Sequence, residues 1–543
     1  SILIVHRYPF LIIEIGQHQW RMCDLHEVYI LTKKKILFGT PFLLTALLFL
    51  GGSILLTALL FLGGDESDDK TSITEDVETI INPMEDWPKF RRDLANTGRS
   101  IETGISSTNA HRLKLKWKFD TDSKIIASPA VATIDGIRTV YIGNSAGIFY
   151  AVDADTGDRR WSFTIDRGRF TCSNPDRCRI GSSAAVENGI VYFGAENAYL
   201  YALDAADGTL LWKKQLGDPD TGYEIWSSPA VYNGIVYVGV ASHMSMPCVA
   251  GRVVALDSTS GANVWSFNTI DQATCPSGFC LGAGVWSSPA IDTHFGTLYI
   301  GTGNSGKGCV PSTANATKYP DGILGVDLTN GQLKSFFQTF PNDLNDKGDV
   351  GATPALYETK LINECEGTNQ TSFWITVPTK DSFLYTAQRG ISGLLSDPVG
   401  IPLDSGRAIA SPAVLPFTHS EDCGSDGLQL TVIGNDILVP TFNGNLFDIR
   451  QLNDGSTEIL WSLLVKACPE DNPCPLYSSP AIIADLIIFG GGEGNIHAAT
   501  TEGQIVWSYG TLGLVASSPA ISHNTIYFGS YDGSLYAVSI DGQ

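Results

Sequence analysis

Residues 182–216 read SSAAVENGIVYFGAENAYLYALDAADGTLLWKKQL. Four short runs fill this stretch: SSAAV, then GIVYFG, then YLYALD, then TLLWKKQ. They are rich in the β-branched and aromatic residues that suit a pleated, half-buried surface. Asn188-Gly189, between the first two runs, is a tight-hairpin signal. Asp204-Ala205-Ala206-Asp207-Gly208 turns the third run into the fourth, because Asp bonds its own backbone and Gly accepts positive φ. The stretch therefore predicts one four-stranded antiparallel sheet.

Its opening recurs eight times along the chain. The copies are Ser128-Pro129-Ala130, Ser183-Ala184-Ala185, Ser228-Pro229-Ala230 and Ser288-Pro289-Ala290, followed by Thr353-Pro354-Ala355, Ser411-Pro412-Ala413, Ser479-Pro480-Ala481 and Ser518-Pro519-Ala520. Proline lacks an N–H and is tolerated at a strand's first residue. Ser and Ala are small, as inner strands converging on an axis require. The fourth runs carry Trp161, Trp212, Trp265, Trp461 and Trp507, large enough to fill the gap between neighbouring sheets. Repeated in this way, the unit predicts an all-β chain, an eight-bladed β-propeller of four-stranded antiparallel blades. The last repeat stops after its third strand. Leu113–Phe119, LKLKWKF, carries Trp117 in the expected pattern and is predicted to supply the missing strand and close the ring. Residues 87–543 are read as this single domain.

Composition agrees with a globular chain: 43% hydrophobic, 17% charged, 56 Gly in 543 residues. The formal net charge of −22 repels phosphate backbones, so no nucleic-acid partner is expected. Residues 1–35 form an unassigned or cytoplasmic segment ending in Lys33-Lys34-Lys35. Residues 36–64 contain no charge and hold LLTALLFLGG twice, at 43–52 and 55–64. A bilayer-spanning helix needs about 20 apolar residues. The expectation is a transmembrane signal-anchor, with the propeller on the extracytoplasmic side; the alternative is a cleaved signal and a secreted protein. Residues 65–86 read as an acidic linker. Ten of the 11 Cys lie beyond the apolar stretch. Cys172/Cys178, Cys275/Cys280 and Cys468/Cys474 suggest local disulfides, and Cys248/Cys309 and Cys365/Cys423 would complete the set. Asn315-Ala-Thr and Asn369-Gln-Thr are glycosylation sequons, meaningful only in a eukaryotic secretory pathway.

A site is sought where repeats deviate. Trp286 precedes the first strand of the fourth blade, and Asn304, in Gly301-Thr302-Gly303-Asn304, follows its second. Asp349 precedes the first strand of the fifth blade, and Lys380 follows its second. Loops entering strand one and leaving strand two share a face, so the four residues are expected to converge.

The repeat S-S-P-A-V…G-x-V-Y-x-G…L-Y-A-L-D-x-x-x-G-x-x-x-W resembles that of quinoproteins binding pyrroloquinoline quinone (PQQ). Trp87-Pro-Lys-Phe-Arg-Arg-Asp-Leu-Ala-Asn-Thr-Gly98 resembles the first segment of their polyvinyl-alcohol-dehydrogenase-like branch. The motifs around Asn304 and Asp349 also resemble the family's. The resemblance implies an enzyme oxidising a small alcohol or sugar by hydride transfer to PQQ. Trp286 and Lys380 would bind the cofactor. Asn304 and Asp349 would ligate Ca2+, which acts as a Lewis acid, and Asp349 would be the catalytic base.

The sequence departs from that pattern. The metal-binding Glu expected after the second strand of the third blade is missing; the segment holds His243, and Glu196 and Glu224 are candidate substitutes. No adjacent Cys-Cys pair and no C-x-x-C-H haem motif occurs, so electrons would leave through a separate acceptor. The same repeat also builds non-catalytic propellers that act as binding or assembly scaffolds, which is the alternative reading.

Overall fold

The computed structural model describes residues 85–166, 179–242, 249–270, 282–304, 319–340, 348–394, 397–403, 407–422, 428–465 and 474–540, with the backbone of four strands before residue 61. The chain divides into two compact units, Ser1–Ile80 and Ile81–Gln543.

In the first unit Leu11–Glu14 pairs with Trp20–Cys23, and Leu44–Leu50 pairs with Ser53–Leu60, both antiparallel. This corrects the expected anchor. Among the described residues no helix is long and apolar enough to cross a membrane, and the core of the 36–64 stretch is strand. The physical reason is in the duplication. Two identical apolar runs flank Gly51-Gly52, which is a hairpin signal and a poor helix interior. The membrane-anchored localisation, and the partnership with a membrane through residues 36–64, therefore have no support. The linker proposed at 65–86 lies outside the described residues up to 84.

The second unit is a succession of antiparallel sheets. The stretch at 182–216 forms Ala185–Glu187, Ile190–Gly194, Tyr199–Asp204 and Leu210–Gln215 in that order. The sheet beginning at Ala130–Ile134 and those beginning at Ala290–Asp292 and Ala481–Ile483 repeat the plan. The sheet of Ala520–Ser522, Thr525–Gly529 and Ser534–Ile540 takes Leu113–Asp120 as its outer strand. Resemblance to a propeller is carried by the inner strands. Ser128 N–H donates to Ser183 Oγ, Ser183 to Ser228, Ser228 to Ser288 and Ser288 to Thr353, at 2.9–3.0 Å. Thr353 then donates to Ser411, Ser411 to Ser479, Ser479 to Ser518 and Ser518 back to Ser128, at 2.8–2.9 Å. The repeat's small hydroxyl residue thus closes a ring of eight hydrogen bonds.

Neighbouring sheets are joined by the outer-strand tryptophans. Trp161 Nε1 donates to Ala205 O, Trp212 to Ser258 O, Trp265 to Leu328 O and Trp461 to Thr501 O, at 2.9–3.2 Å. Trp117 does the same to Ala154 O at 3.0 Å. Each indole lies on the glycine of the next sheet's outer turn. A Cβ on Gly208, where φ is +78°, would come within 2.6 Å of the Trp161 ring. The Asp-x-x-x-Gly turn and the tryptophan are therefore two halves of one contact.

The plan of four strands per sheet breaks in the middle of the chain. Tyr223–Glu224 adds a fifth strand beside Ile235–Ser242. The hairpins Ala355–Asn363/Thr368–Pro378 and Ala413–Asp422/Gln429–Pro440 run past the other inner strands, and Lys360–Asn363 pairs with Leu430–Ile433. Two repeats thereby merge into one nine-stranded sheet. Strand length is the cause, because ends projecting beyond the shared core satisfy their backbone groups on each other.

Trp87–Gly98 runs across the inner strands. Its backbone bonds Val131, Val186, Ile291, Leu356, Val414 and Ile482 in turn. Buried Arg91 donates to Pro480 O at 2.5 Å and Pro412 O at 2.6 Å, and Asn96 Nδ2 donates to Pro289 O and Pro354 O. These bonds fall at the end of the inner strands away from the loops that carry Trp286 and Asp349. Cys365 and Cys474 are disulfide-bonded. Cys423 and Cys468, their expected partners, and the six cysteines from Cys172 to Cys309 lie outside the described residues.

Candidate active site

Trp286 stands just before Ala290–Asp292, and Asn304 just after Thr297–Thr302. Asp349 stands before Ala355–Asn363, and Lys380 after Thr368–Pro378. The structure brings all four together. Lys380 Nζ lies 2.7 Å from Asp349 Oδ2, and the Lys380 backbone N–H donates to Asp349 O at 3.2 Å. Asn304 N–H donates to Asp349 Oδ1. Lys380 Nζ also stands 5.3 Å from the centroid of the Trp286 ring. Asp349 and Asn304 are buried, at 2% and 6% exposure, and Trp286 is half-buried.

The local backbone explains the convergence. Gly303 N–H donates to Gly284 O, Ala283 N–H to Asn304 O, and Val350 N–H to Thr302 O. These three bonds lace the two strand-one entrances to the end of strand two. Glycine is needed for the close approach. A Cβ on Gly351 would sit 1.8 Å from the Trp286 ring, and one on Gly303 would sit 3.2 Å from both Trp286 Nε1 and Asp349 Oδ1. One edge of the indole is thus held by backbone alone.

Three further residues do not stand out in the sequence. Asp321 is fully buried with its backbone in the left-handed region, φ 52°, and its N–H donates to Gly303 O at 3.0 Å. Its Asp-Gly pair reads only as a turn signal. Asp381 follows Lys380 and accepts from Tyr385 Oη at 2.8 Å and from Thr379 Oγ1, which fixes the Lys380 loop. Burial pushes the Asp381 carboxyl above its usual range against those hydrogen bonds. Trp226 occupies in its repeat the place of Trp286, with the Arg179 guanidinium 5.4 Å from its ring centroid.

The candidate substitutes for the missing glutamate are both buried and engaged. Glu196 Oε1 accepts from Arg179 Nε, and Glu224 Oε2 accepts from Trp226 Nε1, each at 2.8 Å. His243 lies outside the described residues. Among the described residues no group of three or more His, Cys, Asp or Glu could hold a metal ion.

Sheets ringed around an axis carry a buried carboxylate, an ammonium group and an indole on one face, the arrangement of a propeller with a site at one end. Residues 87–390 match the PQQ family model, glucose/ethanol/alcohol dehydrogenase, beta-propeller domain, and the chain belongs to that family. The chain is 28% identical over 285 residues to a quinohemoprotein alcohol dehydrogenase of Comamonas testosteroni, covering 48% of this chain and 39% of the relative. It is 27% identical over 321 residues to a quinoprotein ethanol dehydrogenase of Pseudomonas aeruginosa, covering 48% and 50%. A polyvinylalcohol dehydrogenase of a Pseudomonas species is 25% identical over 471 residues, covering 79% and 68%. The first two matches therefore span half or less of those relatives. A europium-containing methanol dehydrogenase superposes with a TM-score of 0.62 at 18% identity, covering 84% of this chain and 98% of that one. BamB from Moraxella catarrhalis superposes at 0.50 and 14% identity, covering 79% and 99%. At these identities both are likenesses of fold.

Proposed function

We propose that this chain is a PQQ-dependent dehydrogenase that oxidises an alcohol or a sugar. The observation that carries the reading is the buried Asp349–Lys380 pair set over Trp286, inside the segment that matches the family. The architecture belongs to the same proposal: eight blades over residues 87–543, closed by Leu113–Asp120. The eight-membered hydroxyl ring and the pairing of Ser534–Ile540 with Leu113–Asp120 support it.

The residues present fit a planar quinone. Trp286 supplies a flat apolar surface held by glycine backbone, and Lys380 supplies a donor above it. For Ca2+ the fit is incomplete. The ion takes about six to eight oxygens, Asn304 and Asp349 are the proposed protein ligands, and both Asp349 oxygens already receive N–H donors.

When bound, PQQ would accept the hydride of the carbinol carbon. Asp349 takes the hydroxyl proton as the C–H bond breaks, leaving the aldehyde or ketone. Lys380 donates toward oxygen that gains negative charge, from a position fixed in advance by Asp349 and the Asp381 turn. The burial of Asp349 and Asn304 keeps bulk water from the proton being moved. Reoxidation of the bound quinone would call for a separate electron acceptor.

The test adds PQQ and Ca2+ to the protein and follows quinone absorption and dye reduction with mixed alcohols. Asp349→Asn keeps the size and removes the base. Its turnover should fall by about 10²–10⁴-fold, with quinone binding weakened less. Parental turnover in Asp349→Asn would reduce the residue to a turn cap. No spectral change and no dye reduction in the parent would favour the non-catalytic scaffold.

A further inference from the structure

At the opposite end of the inner strands from Asp349 lies a cavity of about 860 Å3. Its walls come from the Trp87–Gly98 segment and its continuation, from residues 291–294 of the sheet beginning at Ala290–Asp292, and from strands of the merged central repeats, including Phe383–Gly390. Its accessible apolar lining is Ile101, Phe373, Pro416 and Ile433, while Ile291, Leu356 and Val414 border it as buried residues. The imidazole of His294 stacks on Phe373 at 4.5 Å and adds an aromatic wall.

The charged lining has a different sign from the rest of the protein. Arg92, Arg99, Lys360 and Arg389 face the cavity against Asp93, Asp292 and Glu358, four cations to three anions. The whole chain has 35 Lys and Arg against 57 Asp and Glu. The acids are also engaged. Asp292 is paired with Arg389 and accepts from His294 and Phe295 N–H. Asp93 accepts from Thr97 N–H and Oγ1, and Glu358 lies 3.3 Å from Lys360. Among the described residues the Arg99 guanidinium has no hydrogen-bond or ion-pair partner. Partial burial holds its pKa below the usual arginine value, and the nearby charge of Arg92 adds to that. Arg91 and Arg92 both have left-handed backbone, φ 64° and 72°. Arg91 goes inward to the proline carbonyls, while Arg92 lines the cavity.

We propose that this cavity is a binding site for a small organic carboxylate, separate from the dehydrogenase site. Arg99 takes the carboxylate in the field of Arg92, and the apolar body lies on Ile101, Phe373 and Pro416. Two like charges held near one another gain from a nearby anion, and the apolar part of the lining favours a ligand with an apolar body. The volume admits a molecule the size of an aryl-substituted fatty acid. The inference is independent of whether PQQ binds.

The probe is 4-phenylbutyrate, titrated calorimetrically into the full-length protein, with 4-phenylbutyramide as the uncharged control. Saturable binding of the acid is expected, weakened by salt, with the amide bound at least about tenfold more weakly, the worth of a charge-assisted hydrogen bond. Arg99→Gln changes an exposed side chain and should lower the acid's affinity by about tenfold or more while leaving dye reduction unchanged. Arg99→Glu should abolish binding of the acid and spare whatever affinity the amide has. No saturable binding of the acid into the millimolar range would overturn the proposal. Equal affinity for acid and amide, or an unchanged affinity in both Arg99 variants, would overturn it as well.

Discussion

Residues that break a repeat at one atom carry much of what is particular to this chain. The strand that reads Tyr201-Ala202-Leu203-Asp204 in one repeat reads Phe447-Asp448-Ile449-Arg450 in another. Asp448 faces the same register partner, a tryptophan, as the alanine it replaces. It is 2% exposed, and its Oδ1 has no hydrogen-bond partner among the described residues. Burial, with the charge of Asp436 added, pushes its carboxyl up to about 8. A folded pKa above the unfolded value means the native state holds the proton longer. The associated stability is fully present below the unfolded value of about 4 and declines as pH rises, until it is gone above about 8. The slope is at most about 1.4 kcal/mol per pH unit. Asp448→Asn should remove that slope. Melting curves should show the variant equal to the parent near pH 4 and more stable at pH 9. A parent-like decline in the variant would assign the slope to other groups.

The candidate site was legible at this same scale, with a limit. Trp286, Asn304, Asp349 and Lys380 stand out because they sit in equivalent loops of adjacent repeats, and loop position fixes which face they share. The bonds among them were not legible. That Asp349 spends one oxygen on Asn304 N–H and the other on Lys380 depends on how two strand ends are laced through Gly303 and Val350. Asp321 was hidden because an Asp-Gly pair before a strand reads as a turn and nothing more.

At the scale of elements, local pattern was a good guide where partners are near in sequence and a poor one where they are far. The hairpin and Asp-x-x-x-Gly signals gave the strands of the repeat because each strand pairs with its chain neighbour. The apolar stretch at 36–64 has the length of a membrane span, but its internal Gly51-Gly52 turns it into a hairpin of Leu44–Leu50 and Ser53–Leu60. The segment at Trp87–Gly98 was recognisable by resemblance, but its task was invisible. Arg91 reaches carbonyl oxygens 321 and 389 residues away, at 1% exposure, and its pKa is held down to about 9 mainly by burial. Arg91→Met fills similar space and leaves the carbonyls of Pro412 and Pro480 without those donors. An unsatisfied buried group costs about 1–3 kcal/mol, so the variant should lose about 3 kcal/mol in chemical denaturation. Arg91→Lys, which can serve one carbonyl, should lose less. An unchanged midpoint in Arg91→Met would mean that the segment lies on the inner strands without bracing them.

At the scale of the molecule, the proposed closure carries a prediction about behaviour. The hydroxyl ring passes through all eight repeats and returns from Ser518 to Ser128, so every inner strand has a neighbour on both sides. The outer strands close separately. Ser534–Ile540 would be a bare edge but for Leu113–Asp120, and Trp117 and Trp507 tie that strand to the sheets on either side through Ala154 O and Leu113 O. An exposed edge of this kind is a template for pairing with other chains. Replacing Leu113–Asp120 by a Gly-Ser linker of equal length keeps the Trp87–Gly98 segment and removes only the closing strand. The proposed closure then predicts loss of the monomer in light scattering and loss of a single cooperative melt. The arrangement resists this through backbone pairing along the whole strand and not through one side chain, so Trp117→Phe, which removes one hydrogen bond, should stay monomeric and lose about 1 kcal/mol. A linker variant that remains monomeric and melts with the parent would show that the ring holds without its outer strand, and the closure would then have to be credited to the hydroxyl ring alone.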